Sequence, residues 1–179
     1  MKPTPQKTSA APSKATLCRR LDRITREFRV ICLREEPFGD FVGRVWYPNE
    51  AADYWRNFIC KSPSFNPEVE CLFVLLLNTR SIPKGHHLVA TGTRDTILSH
   101  PIEVFRPAVI AATARVLLFH NHPSGVPEPS EQDITVTRAL IRAGKVLKIE
   151  VLDHLIMGRA SSTRPKDYCS LRELGYFYE

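Results

Sequence analysis

The sequence predicts a single α/β domain in which a mixed sheet carries helices on its faces. Short apolar runs with strand character alternate with amphipathic helical patterns from residue 29 onward, as expected for a sheet covered by helices. The run from Glu70 to Asn78 lacks clean alternation, which indicates a strand buried on both faces in the middle of the sheet. No internal repeat is visible, and 179 residues suit one domain with a good core and an appendage.

A basic segment, residues 1–28, is expected to precede the folded domain at residues 29–179. Residues 1–30 hold eight of the 25 Lys and Arg and two of the 19 acids, so the other 149 residues carry 17 of each sign. Residues 1–14 have a composition typical of disorder. Leu17, Leu21, Ile24 and Phe28 lie at helical spacing among arginines, which predicts a short amphipathic helix. Either this helix docks on the body, or it contacts nucleic acid or an acidic partner.

The elements of the body follow from local signals. Pro48 and Pro101 each suit a first helical position, and Ser130 is a good N-cap. In chain order we predict a strand at residues 29–34, a helix at 48–59, a strand at 70–78, a turn at 81–84, a strand at 87–93, a helix at 101–110, a strand at 116–120, a helix at 134–144, two short strands at 149–154 and 155–158, and a polar stretch that ends in the aromatic residues 174–178.

Two histidines and an aspartate make a candidate metal site. His120 and His122 are two apart at the end of a strand, so both side chains point to one face. A loop stiffened by three prolines then leads to Asp133 in the first turn of the next helix. Ser130 and Asp133 alone would be read as a capping box, but together with the two histidines they favour a metal. Three such ligands with one open position are typical of a catalytic zinc site.

Cysteine usage and hydropathy predict a cytoplasmic location. Five cysteines, an odd number without a C-x-x-C pair, argue against a disulfide framework and for a reducing compartment. The longest apolar run, from Leu72 to Leu77, is too short to cross a membrane, and the N-terminus lacks the apolar core of a secretory signal.

The sequence motif of this site resembles that of a known family. His120-x-His122-Pro123 followed by Pro129-Ser130-x-x-Asp133 is similar to the JAMM motif of the JAB/MPN metalloprotease superfamily, and the extended form HNHPSGxPxPSxxD resembles its RadC-like branch. Three further sequence segments add to the resemblance: Gly92-Thr93, Pro101-x-Glu103-Val104-Phe105-Arg106, and Asp153-His154-Leu155-Ile156-x-Gly158. The resemblance runs from about Tyr47 to the C-terminus and implies a curved sheet flanked by helices. Full-length RadC proteins also carry an N-terminal helical region for which this chain has no room, so a DNA role is not carried across.

The resemblance also implies roles for particular residues. It makes His120, His122 and Asp133 the ligands of one Zn²⁺ per chain, Glu70 the general base, and Ser130 a support for the oxyanion. Glu68 is the alternative base. Glu103 is expected to be structural or on the substrate side, and Asp153-His154 to stand behind the ligands. His86, His87 and His100 are expected to be surface or turn residues. The chain differs from the usual RadC-like sequence pattern at Ile102 and Asn78, and neither residue is one of the expected metal ligands.

Two functions stay open at this point. The first is a zinc-dependent hydrolase of peptide or isopeptide bonds, acting on a protein or peptide substrate. The second is a zinc-binding interaction module associated with DNA repair or mobile elements, which turns nothing over. The ligand set with a candidate base favours the hydrolase.

Overall fold

Five strands form one mixed sheet in the computed structural model, which describes residues 41, 43–92 and 100–178. The sheet order is β2-β1-β3-β4-β5, with β3 and β4 parallel and every other neighbouring pair antiparallel. The strands are β1 (Cys71–Leu77), β2 (Pro83–Thr91), β3 (Arg115–Asn121), β4 (Glu150–Met157) and β5 (Tyr168–Ser170). The helices are α1 (Pro48–Asn57), α2 (Pro101–Ile110) and α3 (Glu131–Leu147), with a short 3-10 turn at Ile59–Lys61. The α/β prediction is confirmed.

The predicted N-terminal elements lie outside the described residues. These are the disordered stretch at residues 1–14, the amphipathic helix at 17–28 and the strand at 29–34. The division into a tail and a body at residue 28 therefore stays a prediction. Within the part of the chain that the structure describes, no helix is long and apolar enough to cross a bilayer.

Strand β1 is the middle of the core. All seven of its residues are buried, as the lack of alternation in its sequence predicts. Its antiparallel pairing with β3 sets Leu72 opposite His120, so the start of β1 lies beside the end of β3. This register brings the segment before β1 to the predicted site.

Helices cover both faces of the sheet. Helix α1 packs through Tyr54 and Trp55 on the face that includes Phe73 and Phe119. Helices α2 and α3 pack on the other face, through residues such as Phe105 and Leu140. The sheet is therefore enclosed between two apolar layers, which is why its central strands carry almost no polar side chain away from the site.

Local signals place the helix starts correctly. Glu50 accepts hydrogen bonds from the backbone N–H groups of Trp46 and Tyr47, at 2.7 and 3.0 Å, just before α1. His100 accepts from the N–H of Ile102 at the start of α2, and Ser130 accepts from the N–H of Asp133 at the start of α3. At each helix start, at least one backbone N–H group therefore has a side-chain acceptor. Helix α3 begins directly after its predicted N-cap, Ser130, and extends three residues beyond the predicted range at each end, from Glu131 to Leu147. Helix α1 ends at Asn57, two residues before its predicted end.

Three strand predictions are wrong. Strand β2 begins at Pro83, inside the predicted turn, because it is an edge strand that tolerates a proline. The two short strands predicted at residues 149–158 are one strand, β4. A register shift sets Leu152 and Asp153 opposite Leu117 alone, and this bulge breaks the alternation that the prediction used. Strand β5 lies inside the predicted polar stretch and is too short to show a pattern of its own.

Candidate metal centre

The two histidines of the motif leave the sheet together at the end of β3. His120 is the last residue but one of the strand and is 3% exposed, while His122 follows the strand and is partly buried. The His122 N–H still donates to the Met157 carbonyl of β4 at 2.9 Å, so the backbone stays extended through it. The two side chains therefore point to one face, with their Nε2 atoms 2.9 Å apart.

The loop after His122 is held from both sides. Inside the loop, His122 Nδ1 donates to the Val126 carbonyl at 2.7 Å, and the Gly125 N–H donates to the His122 carbonyl at 2.9 Å. Outside it, the Gly125 carbonyl accepts from the Arg159 N–H at 2.8 Å and from Arg164 at 2.7 Å. Gly125 has a φ of +80°, a conformation that favours glycine. When the His122 ring is neutral, its one proton on Nδ1 faces Val126 and its Nε2 is an acceptor.

Asp133 serves both helix α3 and the site. Its Oδ2 accepts from the Ser130 backbone N–H at 2.8 Å and from the Ser130 hydroxyl at 2.6 Å. Its own N–H donates to Ser130 Oγ at 3.2 Å, which completes a capping box. Its Oδ1 lies 3.3 Å from His120 Nε2. The capping and ligand interpretations of this S-x-x-D pattern are therefore compatible.

The three side chains fit a tetrahedral zinc ion. One potential ligand atom from each of His120, His122 and Asp133 lies within 4.8 Å of the other two. The two Nε2 atoms are 2.9 Å apart. Asp133 Oδ1 lies 3.3 Å from His120 Nε2, and Asp133 Oδ2 lies 3.6 Å from His122 Nε2. Tetrahedral ligands with zinc bonds of about 2.0–2.1 Å are about 3.3 Å apart. The observed separations bracket that value.

The protonation states of His120 and Asp133 also suit a cation. Burial lowers the pKa of His120 well below its usual value, and the neighbouring His154 lowers it further. Burial alone would raise the pKa of Asp133, but its hydrogen bonds with His122 and Ser130 and the charge of His120 hold it well below its usual range. A neutral imidazole and an ionised carboxylate are the forms that bind metal. For His122, burial lowers the pKa, yet the hydrogen bonds to Asp133 and Val126 outweigh burial and raise it overall.

A second layer of polar groups stands behind His120. Its Nδ1 lies 2.8 Å from Nε2 of His154, and Nδ1 of His154 lies 2.6 Å from the Thr137 hydroxyl. That hydroxyl donates to the Asp133 carbonyl at 2.6 Å. Sequence reasoning missed Thr137, although a threonine four residues after Asp133 on the buried side of a helix is a readable signal.

Asp153 and His154 are adjacent in sequence but contact different parts of the structure. His154 faces His120, whereas Asp153 accepts from the Ser170 hydroxyl at 2.6 Å and from the Arg172 N–H at 3.1 Å. Asp153 therefore holds β5 and the segment after it. Of these two residues, His154 is the one whose side chain lies within hydrogen-bond distance of His120.

Glu70 lies on the same face as the two histidines. It is buried directly before β1, and extending the pairing of Leu72 with His120 by two residues sets Glu70 opposite His122. Its charge contributes to raising the pKa of His122. Glu68 instead lies exposed in a turn, where its N–H donates to the Asn66 side chain at 3.0 Å. The geometry favours Glu70 over Glu68 as the carboxylate near the ligands.

Asn121, between the two histidines, is a further residue that sequence reasoning missed. Its side chain accepts from the Cys71 N–H at 3.0 Å and donates to the Val69 carbonyl at 2.9 Å. These two bonds hold the backbone on either side of Glu70. The position is recognisable in the sequence only because it is a polar residue within a buried strand.

The remaining candidates lie elsewhere. Glu103 accepts a hydrogen bond from the His100 N–H at 3.5 Å, at the start of α2. This contact agrees with the expectation that Glu103 has a structural role. His87 and His100 are exposed, but His86 is half-buried in β2, with its Nδ1 3.0 Å from the Tyr54 hydroxyl, which corrects its assignment to the surface. Within the described ranges, these three histidines are not part of the cluster that could hold a metal.

Comparison with known proteins agrees with the motif. A UPF0758 protein of Thermosynechococcus vestitus is 44% identical over 101 residues, which are 56% of this chain and 38% of that protein. A UPF0758 protein of Staphylococcus carnosus is 37% identical over 134 residues, 75% of this chain and 54% of its own length. The chain thus spans about half or less of the length of these curated relatives. The model of the family described as "RadC-like JAB domain" matches residues 46–176, and the chain belongs to this family.

Proposed function

We propose that this chain is a zinc-dependent hydrolase of peptide or isopeptide (amide) bonds. The observation that carries the proposal is the convergence of two Nε2 atoms, 2.9 Å apart, with the Asp133 carboxylate, whose Oδ1 lies 3.3 Å from His120 Nε2 and whose Oδ2 lies 3.6 Å from His122 Nε2. Each histidine has its other ring nitrogen engaged, by Val126 or by His154, so both Nε2 atoms face the same point. Three acceptors directed at one point are stabilised when a cation lies between them, which supports the proposal.

Zinc, when bound, would supply a Lewis acid and lower the pKa of a water to about 7. The protein must then move the proton of that water. Glu70 is our candidate, because it is buried on the face of His120 and His122 and adjoins them through the pairing of β1 with β3. Its carboxylate would take the proton and later give it to the leaving amine.

Ser130 is proposed to support the oxyanion that forms on the substrate carbonyl. Its single hydroxyl proton is directed to Asp133 Oδ2 in this structure. The hydroxyl must therefore rotate away from Asp133 to donate to substrate, while the Ser130 N–H continues to hold Oδ2 at 2.8 Å. Ser130 would thus orient a metal ligand in one rotamer and contact substrate in the other.

The test is a matched pair of variants in the full chain. Glu70→Gln keeps the size of the side chain but cannot shuttle a proton, so we expect full zinc content and a loss of hydrolysis of about 10²–10⁴-fold. Glu68→Gln, in the exposed turn, should leave both unchanged. Zinc is measured by metal analysis and hydrolysis on a panel of peptides and isopeptides.

Two outcomes would count against the proposal. The reverse pattern would move the base to Glu68. A wild-type protein with full zinc and no turnover on the whole panel would favour the alternative, a zinc-binding interaction module associated with DNA repair or mobile elements.

A further inference from the structure

A continuous line of hydrogen bonds joins the His120 side chain to the backbone of Asp133 through the interior. It runs from His120 Nδ1 to His154 Nε2 at 2.8 Å, from His154 Nδ1 to the Thr137 hydroxyl at 2.6 Å, and from that hydroxyl to the Asp133 carbonyl at 2.6 Å. His154 is 2% exposed and Thr137 is fully buried. The line therefore connects two of the three candidate ligands by a route that excludes water.

The direction of every proton in this line follows from its last member. A carbonyl can only accept, so the Thr137 hydroxyl gives its one proton to the Asp133 carbonyl. The Thr137 oxygen must then accept from His154 Nδ1–H. A buried imidazole is neutral by preference and has one N–H, so His154 Nε2 is an acceptor.

These proton positions also fix which nitrogen of His120 is protonated. Because His154 Nε2 accepts, the proton between the two rings belongs to His120 Nδ1. His120 Nε2 is then left with its lone pair, on the side of the ring that faces His122 and Asp133. The same line ties three elements, since His120 lies on β3, Thr137 on α3 and His154 on β4.

We propose that His154, supported by Thr137, is the positioning residue of this metal centre, fixing the Nδ1–H tautomer of His120 and its distance from Asp133. This inference rests on the proposed function for its metal. The usual partner of a metal-bound histidine is a carboxylate, carbonyl or water, and here it is a second histidine. The adjacent carboxylate, Asp153, is turned to Ser170 and Arg172. The partner of His120 thus orients the ring without adding a negative charge.

A purely structural role for His154 makes a different prediction. If the ring served only as core packing, an apolar residue of similar size would replace it without harm to the metal site. His154→Leu keeps apolar bulk and removes both hydrogen bonds. His154→Gln keeps an acceptor for His120 and a donor for Thr137. Thr137→Val and Thr137→Ser form a second pair, which removes or keeps the hydroxyl.

The experiment measures three quantities on the full chain. Zinc affinity is obtained by competition with a chromophoric chelator, the His120 tautomer by imidazole proton–nitrogen NMR correlations of the metal-free protein, and folding by thermal unfolding of the metal-free protein. We expect His154→Leu to weaken zinc binding by about 10–100-fold. In the same variant, the His120 ring should no longer be held in the Nδ1–H tautomer. His154→Gln and Thr137→Ser should stay within a few-fold of wild type.

The line should also behave as one unit. Thr137→Val should weaken zinc binding, but by less than His154→Leu, because His154 can still accept from His120. Adding Thr137→Val to His154→Leu should have little further effect, since the line is already cut. If His154→Leu does not fold, the Thr137→Val and Thr137→Ser pair carries the same comparison.

Failure of this inference is separable from failure of the proposed function. Wild-type zinc affinity in a folded His154→Leu variant, or an Nε2–H tautomer of His120 in the metal-free wild type, would overturn it. If the wild type takes up no zinc, the proposed function fails, yet the tautomer still decides: loss of Nδ1–H in His154→Leu upholds the positioning role, and an unchanged tautomer refutes it.

Discussion

At the scale of single residues, Asp133 shows how one side chain satisfies two demands. Its Oδ2 caps the N-terminus of α3 through Ser130, and its Oδ1 faces His120. The cap orients the carboxylate before any cation arrives, because two donors from Ser130 hold Oδ2, which lies 3.6 Å from His122 Nε2, and leave Oδ1 directed at His120. The residue that caps the helix is thus also a candidate metal ligand.

Removal of a ligand should empty the site. His122→Ala and Asp133→Ala each delete one of three donors, so we expect zinc content near zero after desalting, against about one zinc per chain in the wild type. The exposed His87 lies outside the ligand cluster, so His87→Ala is the control and should keep its zinc. Metal analysis is the measurement. Full occupancy in both ligand variants would show that the ligands are assigned wrongly.

At the scale of elements, the site depends on two loops that hold each other. The loop between β3 and α3 carries His122, and the segment after β4 contacts it at Gly125 through Arg159 and Arg164. Gly158 permits this contact. A Cβ added there would lie 2.5 Å from the Gly125 carbonyl and 2.9 Å from Pro127. The two loops can approach only because this position has no side chain.

Gly158→Ala should therefore disturb the metal site from a distance. The two loops must separate to admit the methyl group, so we expect a loss of about 1–3 kcal/mol in unfolding free energy, as for other overpacked sites. Zinc affinity should also fall, because His122 sits at the start of the displaced loop. Chemical denaturation and chelator competition measure the two effects. Ser162→Ala, at an exposed position of the same segment, should leave both at wild-type values.

At the scale of the whole molecule, the fold brings the site together from sequence-distant parts. The start of β1 meets the end of β3 because the two strands are antiparallel, and α3 begins where the loop after β3 ends. The parallel neighbour β4 supplies His154 from behind. One end of the sheet therefore collects two carboxylates, from Glu70 and Asp133, two histidines and their supporting groups.

A bidentate ion pair joins the two ends of the described chain and should make its stability depend on pH. Arg56 of α1 donates to Asp167, just before β5, at 2.9 and 2.5 Å. The hydrogen bond from Arg56 lowers the pKa of Asp167 below its ordinary value of about 3.9. A lowered pKa contributes stability above the unfolded value, and that contribution is lost as the pH falls through the folded value.

Asp167→Asn should accordingly lower the unfolding free energy at pH 7 by about 0.5–1 kcal/mol, a modest amount because the pair is partly exposed. The difference from wild type should shrink as the pH is lowered below about 3.9. Denaturation curves at several pH values measure it. Asp53→Asn, which removes the more exposed partner of Arg56, should have the smaller effect. A difference that stays constant down to strongly acidic pH would contradict the ion-pair account.

Much of the fold could be predicted because its signals are local. Pro48, Pro101 and Ser130 mark helix starts through backbone preferences that act within a few residues. The buried strand β1 is recognisable because a strand covered on both faces has no reason to alternate. The bulge at Asp153 and the short strand β5 could not be predicted, because each exists only through pairing with a distant strand.

The sequence by itself determined the donor set of the candidate site: His120, His122 and Asp133 follow from strand spacing, a proline-stiffened loop and a helix cap, all encoded within 14 consecutive residues. Only the tertiary structure decided what surrounds it. Glu70 rather than Glu68 faces the histidines because of the register between β1 and β3, and Asn121 holds the backbone around Glu70. His154 meets His120 because β4 pairs with β3, and Thr137 meets His154 because α3 packs against β4. Strand register and helix packing are long-range choices of the whole apolar core, so no local pattern encodes them.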